Sequence, residues 1–370
     1  MKVAIAHDYL TQRGGAERVV LALSRAFPKA PIFTTLYDKK GTFPEFRERT
    51  VVAGPLNRIP ALRQNHRRAL PMLAPAAGST RVDADVTIVS SSGWAHGFRT
   101  SGRALVYCHN PARWLYQPEE YLGGAGPVAP RRLALAALTP ALRRWDRAAA
   151  LRADRYLANS GVVRDRIAAA YGIDAEVVPP PPGIDTTGEQ AAPAQISGWE
   201  GYWLVVSRLM AYKNVGAAVE AFRDRPDDRL VVVGDGPERA RLLADLPPNV
   251  RILSGISDAE LRWTYAHARG LLAPSREDFG LTPLEANAWG LPVVALHEGG
   301  YLDTVVDGRT GVFFEHPVSG EIAEAVDRAE SREWSPEVLR AHADGFGEAG
   351  FAARIRREVE ALRDQGTPQT

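Results

Sequence analysis

Val177-Val178-Pro179-Pro180-Pro181-Pro182-Gly183 divides the chain in two. Four consecutive prolines fix φ and remove amide hydrogens, which makes a stiff extended connector that no helix interior accepts. The same rhythm is written on both sides of it. Before the prolines, apolar runs at 2–7, 32–36, 86–89, 104–107 and 155–158 alternate with helical periodicity at 16–27 (through Val19, Val20, Leu23 and Phe27), 131–153 and 161–171. After them, 203–206, 230–233, 250–253, 270–273 and 292–295 restart the alternation. Strands alternating with helices predict a parallel sheet covered on both faces. The expected fold class is therefore α/β, with two Rossmann-like domains, residues 1–182 and 183–348, facing a deep interdomain cleft. Sheets of this kind bind ligands beyond the carboxyl ends of their strands. Residues 349–370 carry an amphipathic helix through Phe351, Ile355, Val359 and Leu362, expected to cross back to the first domain.

Composition narrows the function. At 370 residues and 45% hydrophobic, the chain exceeds one ordinary domain and can bury two cores. Its single cysteine, Cys108, excludes an internal disulfide framework and a cysteine-built zinc site, which points to a reducing compartment. The start lacks a basic and apolar leader, and no apolar stretch reaches the ~18–20 residues of a membrane span. The expected location is the cytoplasm. A net charge of +1 hides an asymmetry: residues 1–184 hold 26 Lys and Arg against 14 Asp and Glu, and the remainder hold 19 against 30. Two readings stay open, ordinary arginine-rich solvated helices or a first half that meets an anionic membrane or acceptor. The stretch 58–73, with Arg58, Arg63, Arg67 and Arg68 among Ile59, Leu62, Leu70, Met72 and Leu73, reads as a basic amphipathic element interrupted by Pro60 and Pro71. A plain surface loop is the other reading. Nothing in the sequence suggests a nucleic-acid partner.

Several constellations sit at expected strand ends. Ser275-Arg276-Glu277-Asp278-Phe279-Gly280-Leu281-Thr282-Pro283-Leu284-Glu285 follows the strand ending near Ala273 and opens a helix at about Pro283, with Thr282 as cap. The amides of Gly280, Leu281 and Thr282 would head that helix as an anion site. Glu277 ahead of the helix and Glu285 inside it would approach one ligand from two directions; alternatively both are solvated. Arg208 and Lys213, after the first strand of the second half, suit a diphosphate. Gly14 and Gly15 hold the same place in the first half, where glycine lets backbone approach phosphate. His109 follows strand 104–107 and is placed to hydrogen-bond a sugar hydroxyl or carbonyl, or else is structural. The turns Val233-Gly234-Asp235-Gly236-Pro237 and Ser254-Gly255-Ile256-Ser257 would wall a nucleobase, with Gly234 and Ile256 nearest, or are plain turns.

Taken together, these residues resemble the GT-B glycosyltransferases of retaining family 4, the group 1 transferases, over almost the full chain. The glutamate pair Glu277…Glu285, the Ser207-Arg208…Lys213 segment, Gly14-Gly15-Ala16-Glu17 and the 233–237 turn carry the resemblance. His109-Asn110-Pro111-Ala112-Arg113-Trp114 and Trp145-Asp146-Arg147 are similar to a mannosyl- and deoxyhexosyl-transferase subgroup that often uses GDP-linked donors. The resemblance implies transfer of a hexosyl residue from a nucleotide diphosphate sugar to a glycan, lipid or natural-product acceptor, with retention of configuration. It implies roles residue by residue. Glu277 holds donor sugar hydroxyls, helped by the Phe279 and Gly280 amides, and Glu285 holds the ribose. Arg208 and Lys213 clamp the diphosphate, with Gly15 and the Leu281 and Thr282 amides assisting, and His109 sits near the sugar. No metal and no cofactor is implied, because the cations replace the metal and the departing phosphate oxygen takes the acceptor's proton. A nucleotide-sugar epimerase on the same fold is the rival. A dinucleotide oxidoreductase is disfavoured by the missing Gly-x-Gly-x-x-Gly after residue 7, and a non-catalytic scaffold by the convergent cations and amides.

Overall fold

The computed structural model describes residues 1–64, 69–117 and 130–364. The chain forms two compact units, Met1–Pro181 together with Glu348–Thr370, and Pro182–Gly347. In the first unit, seven strands run in the spatial order Val51–Ala53, Ile32–Thr34, Val3–His7, Val86–Ser91, Arg103–Cys108, Arg155–Ala158 and Glu176–Val177. All neighbours are parallel. In the second unit the order is Val250–Leu253, Leu230–Val233, Tyr202–Val206, Ala268–Ala273, Val293–Leu296 and Gly311–Phe314, again all parallel. Both sheets therefore place their first strand in the middle and build outward, first to one side and then to the other. That is the doubly wound, Rossmann-like arrangement, whose ligand crevice opens where the winding reverses.

The local chemistry explains the strands. Val86–Ser91 is buried at every position and Arg103–Cys108 at all but its first, as near-continuous runs between two helical layers must be. Two apolar clusters cover the two faces of the first sheet. One gathers Leu73, Ala77, Val89, Trp94, Val106, Trp114, Ile167 and Tyr171. The other gathers Val19, Val20, Leu23, Leu105 and Tyr107 with Phe351, Ile355, Val359 and Leu362. The terminal helix Glu348–Asp364 thus belongs to the core of the first unit. Its entry is fixed by a fork in which Arg25 Nε and Nη2 each donate to a Glu348 carboxylate oxygen at 2.6 Å. Helix Gly161–Tyr171 is delimited by its ends. Ser160 Oγ accepts the Val163 amide at 3.2 Å, and Gly172 closes it with φ 73°.

The structure departs from the sequence reading at the edges. The second strand stops at Thr34, and the outer strands Val51–Ala53 and Gly311–Phe314 were not among the expected ones. The basic stretch 58–73 is interrupted, as its prolines led one to expect: its described parts are the end of the turn Pro55–Arg58, the short helix Pro60–Gln64 and the start of helix Leu70–Ser79. The prolines decide this, since each begins a helix rather than continuing one. Leu73 is buried, Ile59 and Met72 are exposed, and Arg67 and Arg68 lie outside the described residues. Among the described residues no helix is long and apolar enough to cross a membrane.

Ile355 is wholly buried in the first unit's core. Ile355→Ala is expected to destabilise that unit by about 2–5 kcal/mol, read as a lowered urea midpoint with an unchanged slope.

Candidate active site

In the second unit the two loops flanking the point of reversal follow strands Tyr202–Val206 and Ala268–Ala273. Asn214 ties them together: it sits in the left-handed region at φ 54°, and its Nδ2 donates to the Pro274 carbonyl at 3.0 Å. That turn directs Lys213 inward. Only 4% exposed, Lys213 stands with its ammonium against Glu277 Oε1 and 4.9 Å above the Tyr212 ring. Arg208, exposed, donates from Nη2 to Tyr212 Oη at 3.3 Å. Tyr212 therefore gathers both cations. From Glu277 the contacts run on, with Ser275 Oγ donating to Glu277 Oε1 at 2.8 Å and Tyr301 Oη 3.0 Å from Ser275 Oγ. Burial, and then the Glu277 charge, push the Tyr301 phenol up, while its contacts with Ser275 and Thr282 oppose the shift. It stays a neutral hydroxyl at any ordinary pH. Arg208, Lys213, Glu277 and Thr282 thus belong to one connected group.

The segment carrying the glutamates departs from its expected form. The helix is Leu281–Ala288, not one opening at Pro283, and Thr282 is not its cap. Gly280 holds that position with φ 89°, a left-handed turn that starts the helix two residues early. A side chain at 280 would also meet the Tyr301 ring at 2.5 Å. Pro283 falls third, where its missing amide still costs nothing, and the Leu281 and Thr282 amides head the helix. Phe279 is buried. Glu285 is also buried and accepts from Tyr265 Oη at 3.0 Å, so it is held in place rather than solvated. Gly234 lies against the other loop: a Cβ there would stand 1.8 Å from the Ser207 carbonyl oxygen. Leu209 donates its amide to the Asp235 carbonyl at 2.9 Å, seating the 233–237 turn on the loop bearing Arg208. Ile256 is half-buried against the second core, just past strand Val250–Leu253.

In the first unit Gly14 caps helix Gly15–Ala26 in extended conformation, and a side chain there would meet Glu17 Oε2 at 2.6 Å. Gly15 is exposed as the first helical residue. His109 follows strand Arg103–Cys108 and is buried; its Nε2 lies 2.8 Å from Ser90 Oγ. The motif residues around it brace its loop. Trp114 stacks on Trp94 at 4.4 Å, and Arg166 Nη1 donates to Asn110 Oδ1 at 3.2 Å. Asp146 is wholly buried, 2.9 Å from both His96 Nε2 and Tyr116 Oη. These contacts brace the loop from inside the unit.

Sequence reasoning missed several parts. Asp8, buried at the end of the first strand, accepts the amides of Ser92, Trp94 and Ala95 at 2.5, 2.8 and 2.6 Å and shapes the loop after the neighbouring strand. Ser275 and Tyr301 hold Glu277. Gly299 and Gly300 bring their backbone against it, the Gly300 amide donating to the Glu277 carbonyl at 2.8 Å. An acid right after a first strand, and a Glu298-Gly299-Gly300 turn after a later one, were the available signals.

Comparison with known proteins agrees with this architecture. The family described as "Glycosyltransferase Family 4" matches residues 13–187, and "Glycosyl transferases group 1" matches residues 189–345. The chain is 35% identical over 177 residues to the GDP-mannose-dependent alpha-(1-6)-phosphatidylinositol monomannoside mannosyltransferase of Mycolicibacterium smegmatis, covering 41% of this chain and 46% of that protein. It is 34% identical over 145 residues to the glycogen synthase of Pseudomonas aeruginosa, covering 37% of this chain and 28% of that one. The matched segments thus span less than half the length of these relatives. Among solved structures, sucrose-phosphate synthase from Thermosynechococcus elongatus superimposes with a TM-score of 0.72 at 19% identity, covering 99% of this chain and 100% of the other. Anabaena HepE in complex with UDP-glucose gives 0.69 at 17%, covering 98% and 100%. At these identities the structural likeness shows the fold, the GT-B pairing of two Rossmann-like α/β domains. The first half of the chain thus matches the family 4 glycosyltransferases and the second half the group 1 glycosyltransferases.

Proposed function

We propose that the protein transfers a hexosyl residue from a nucleotide diphosphate sugar to an acceptor hydroxyl with retention of configuration. The observation that carries this reading is the connected group in the second unit: two cations on Tyr212, a carboxylate against one of them, and two helix-heading amides beside it. Arg208, Lys213 and the Leu281 and Thr282 amides would receive the diphosphate, whose negative charge grows as the glycosidic bond breaks. Donors fixed before the reaction stabilise that charge without reorganising. Glu277, with the Phe279 and Gly280 amides, would hold the sugar hydroxyls, and Glu285 the ribose, its carboxylate kept in position by Tyr265. Gly234 and Ile256 would border the base. From the first unit, Gly14 and Gly15 would approach the phosphates and His109 the sugar. The departing phosphate oxygen would take the acceptor's proton, so the scheme uses neither a protein nucleophile nor a metal or cofactor.

A GDP-linked donor, mannosyl or deoxyhexosyl, is favoured by the 109–114 and 145–147 motifs and by the mycobacterial relative, which is GDP-mannose-dependent. The acceptor is a glycan, lipid or natural product. The basic first half favours one that is anionic or membrane-borne, met at the cytoplasmic face of the membrane.

Arg208 is exposed and its side chain rests on Tyr212, so Arg208→Ala separates function from folding. Turnover is expected to fall by ~10²–10³ while stability changes by less than about 0.5 kcal/mol. Near-normal turnover would defeat the diphosphate clamp. In a thermal-shift series with GDP-, UDP-, ADP- and TDP-sugars, a GDP-sugar at a hundredfold its Kd should add about 2.7 kcal/mol of apparent stability. Equal shifts from all four would remove the guanine preference. Incubation with donor alone should leave the sugar's configuration intact, whereas isomerisation would identify an epimerase.

A further inference from the structure

The first unit holds a cavity of about 800 Å³ at the amino edge of its sheet, where strand Arg103–Cys108 begins. The crevice of a doubly wound sheet opens at the other edge, so this cavity is separate from it. Its floor is apolar, with Val89 and Val106 from two central strands beside Phe98 and Ala104. Helix Pro130–Ala150 and the turn after it bring Trp145, Arg152 and Ala153 as one wall. The Trp145 ring is held from behind, 6.0 Å from Trp94 and 6.3 Å from His96 between centroids. Glycine shapes the rest. A side chain at Gly97 would meet the Trp145 ring at 2.6 Å, so the indole lies against bare backbone. At Gly78, near the end of helix Leu70–Ser79, a Cβ would find only Trp145 Nε1 within 4 Å, at 3.8 Å. A preformed apolar hollow of this size with a few polar groups is the usual form of a small-molecule site.

The polar groups around it are cations that the neighbouring carboxylates leave over. Arg103 is paired with Asp154 at 2.5 Å and Lys2 Nζ with Asp83 at 2.6 Å, while Asp85 accepts the Lys2 amide at 2.6 Å. Arg152 lines the cavity and donates to the Ala148 and Gly97 carbonyls at 3.4 and 3.5 Å. Arg99 also lines it, and stands in register with Arg81 on the small parallel sheet of Arg81–Val82 and Arg99–Thr100. Both are exposed, and no described carboxylate pairs with Arg81, Arg99 or Arg152. Guanidiniums held side by side repel, and an anion between them relieves that repulsion. Trp145 Nε1 adds an N–H donor that meets no acceptor among the described residues.

We propose that this cavity is a second ligand site, one that takes a small organic anion. An apolar body rests on Val89, Phe98 and Val106, and Arg99 and Arg152 hold a carboxylate, sulfonate or phosphate at the mouth. The floor alone selects nothing but oiliness, and the arginines alone nothing but charge. Together they select molecules that carry both.

The test titrates the full-length protein with anilinonaphthalene sulfonate, an aromatic anion whose emission rises and shifts to the blue in an apolar site. Saturable binding of one molecule per chain is expected. Phenylnaphthylamine, the same body without the sulfonate, should bind about tenfold more weakly, the scale of one charge-assisted hydrogen bond. Arg99→Gln and Arg152→Gln, both at exposed positions, should each raise the Kd of the sulfonate about tenfold. Gly78→Leu grows into the cavity from a helix that gains propensity by the change. It should abolish binding while the urea midpoint holds or rises. Arg208→Ala, in the other unit, should leave the probe's Kd as it is. Loss of binding in Arg208→Ala places the probe elsewhere and overturns the proposal. So does indifference to both arginines or to Gly78→Leu, equal affinity for the uncharged amine, or the absence of saturable binding.

Discussion

A parallel sheet constrains everything placed on it. Each strand must be followed by a return over one face, so every strand points the same way and every loop leaving a carboxyl end emerges at the same edge. In both units the first strand lies in the interior of the sheet, and successive strands are added to one side and then to the other. The loops after the first strand and after its later neighbour therefore diverge, leaving their backbone amides and side chains facing a common gap. In the second unit those loops bear Lys213 and Glu277; in the first they bear Gly14 and the 92–95 segment bound by Asp8. Residues far apart in sequence become neighbours through strand order alone.

Within that frame, charge is placed by hydrogen bonds more than by burial. Lys213 is nearly inaccessible, and an ammonium removed from water needs a partner. Glu277 supplies it, and Ser275 with Tyr301 supports Glu277 from behind. The arrangement resists dispersal because each member satisfies the next. In the first unit a buried hydroxyl plays the linking part: Ser90 Oγ lies within hydrogen-bond distance of both His7 Nδ1 and His109 Nε2.

The two-part, doubly wound fold was legible because its signals are long and redundant. β-branched runs such as 230–233 and 86–89, flanked by turn residues, read as strands buried on both faces, and the 179–182 prolines separate the halves. The motif residues were legible too, since Arg208, Lys213 and Glu277 stand just beyond strand ends. What the sequence left hidden lies at shorter range. The start of the helix at Leu281 turned on the φ of Gly280, which competes directly with the usual preference for proline at a first helical position. Asp8, Ser90 and Tyr301 stand in the sequence with no motif around them, and only the pairing of distant strands and loops reveals what they hold. In the 58–73 stretch the two prolines restart the backbone, and the interruption expected from them is what its described parts show.

The terminal helix has a consequence for biosynthesis. Phe351, Ile355, Val359 and Leu362 complete a core whose other members lie within residues 5–178. A ribosome adding ~5–20 residues per second spends on the order of 10–30 s making the second unit before it reaches them. Throughout that interval the nascent first unit carries an open apolar seat where the helix will dock. The protein is thus made in an order that leaves its earliest part to be finished last, and guarding that seat until then is a task for whatever attends the emerging chain.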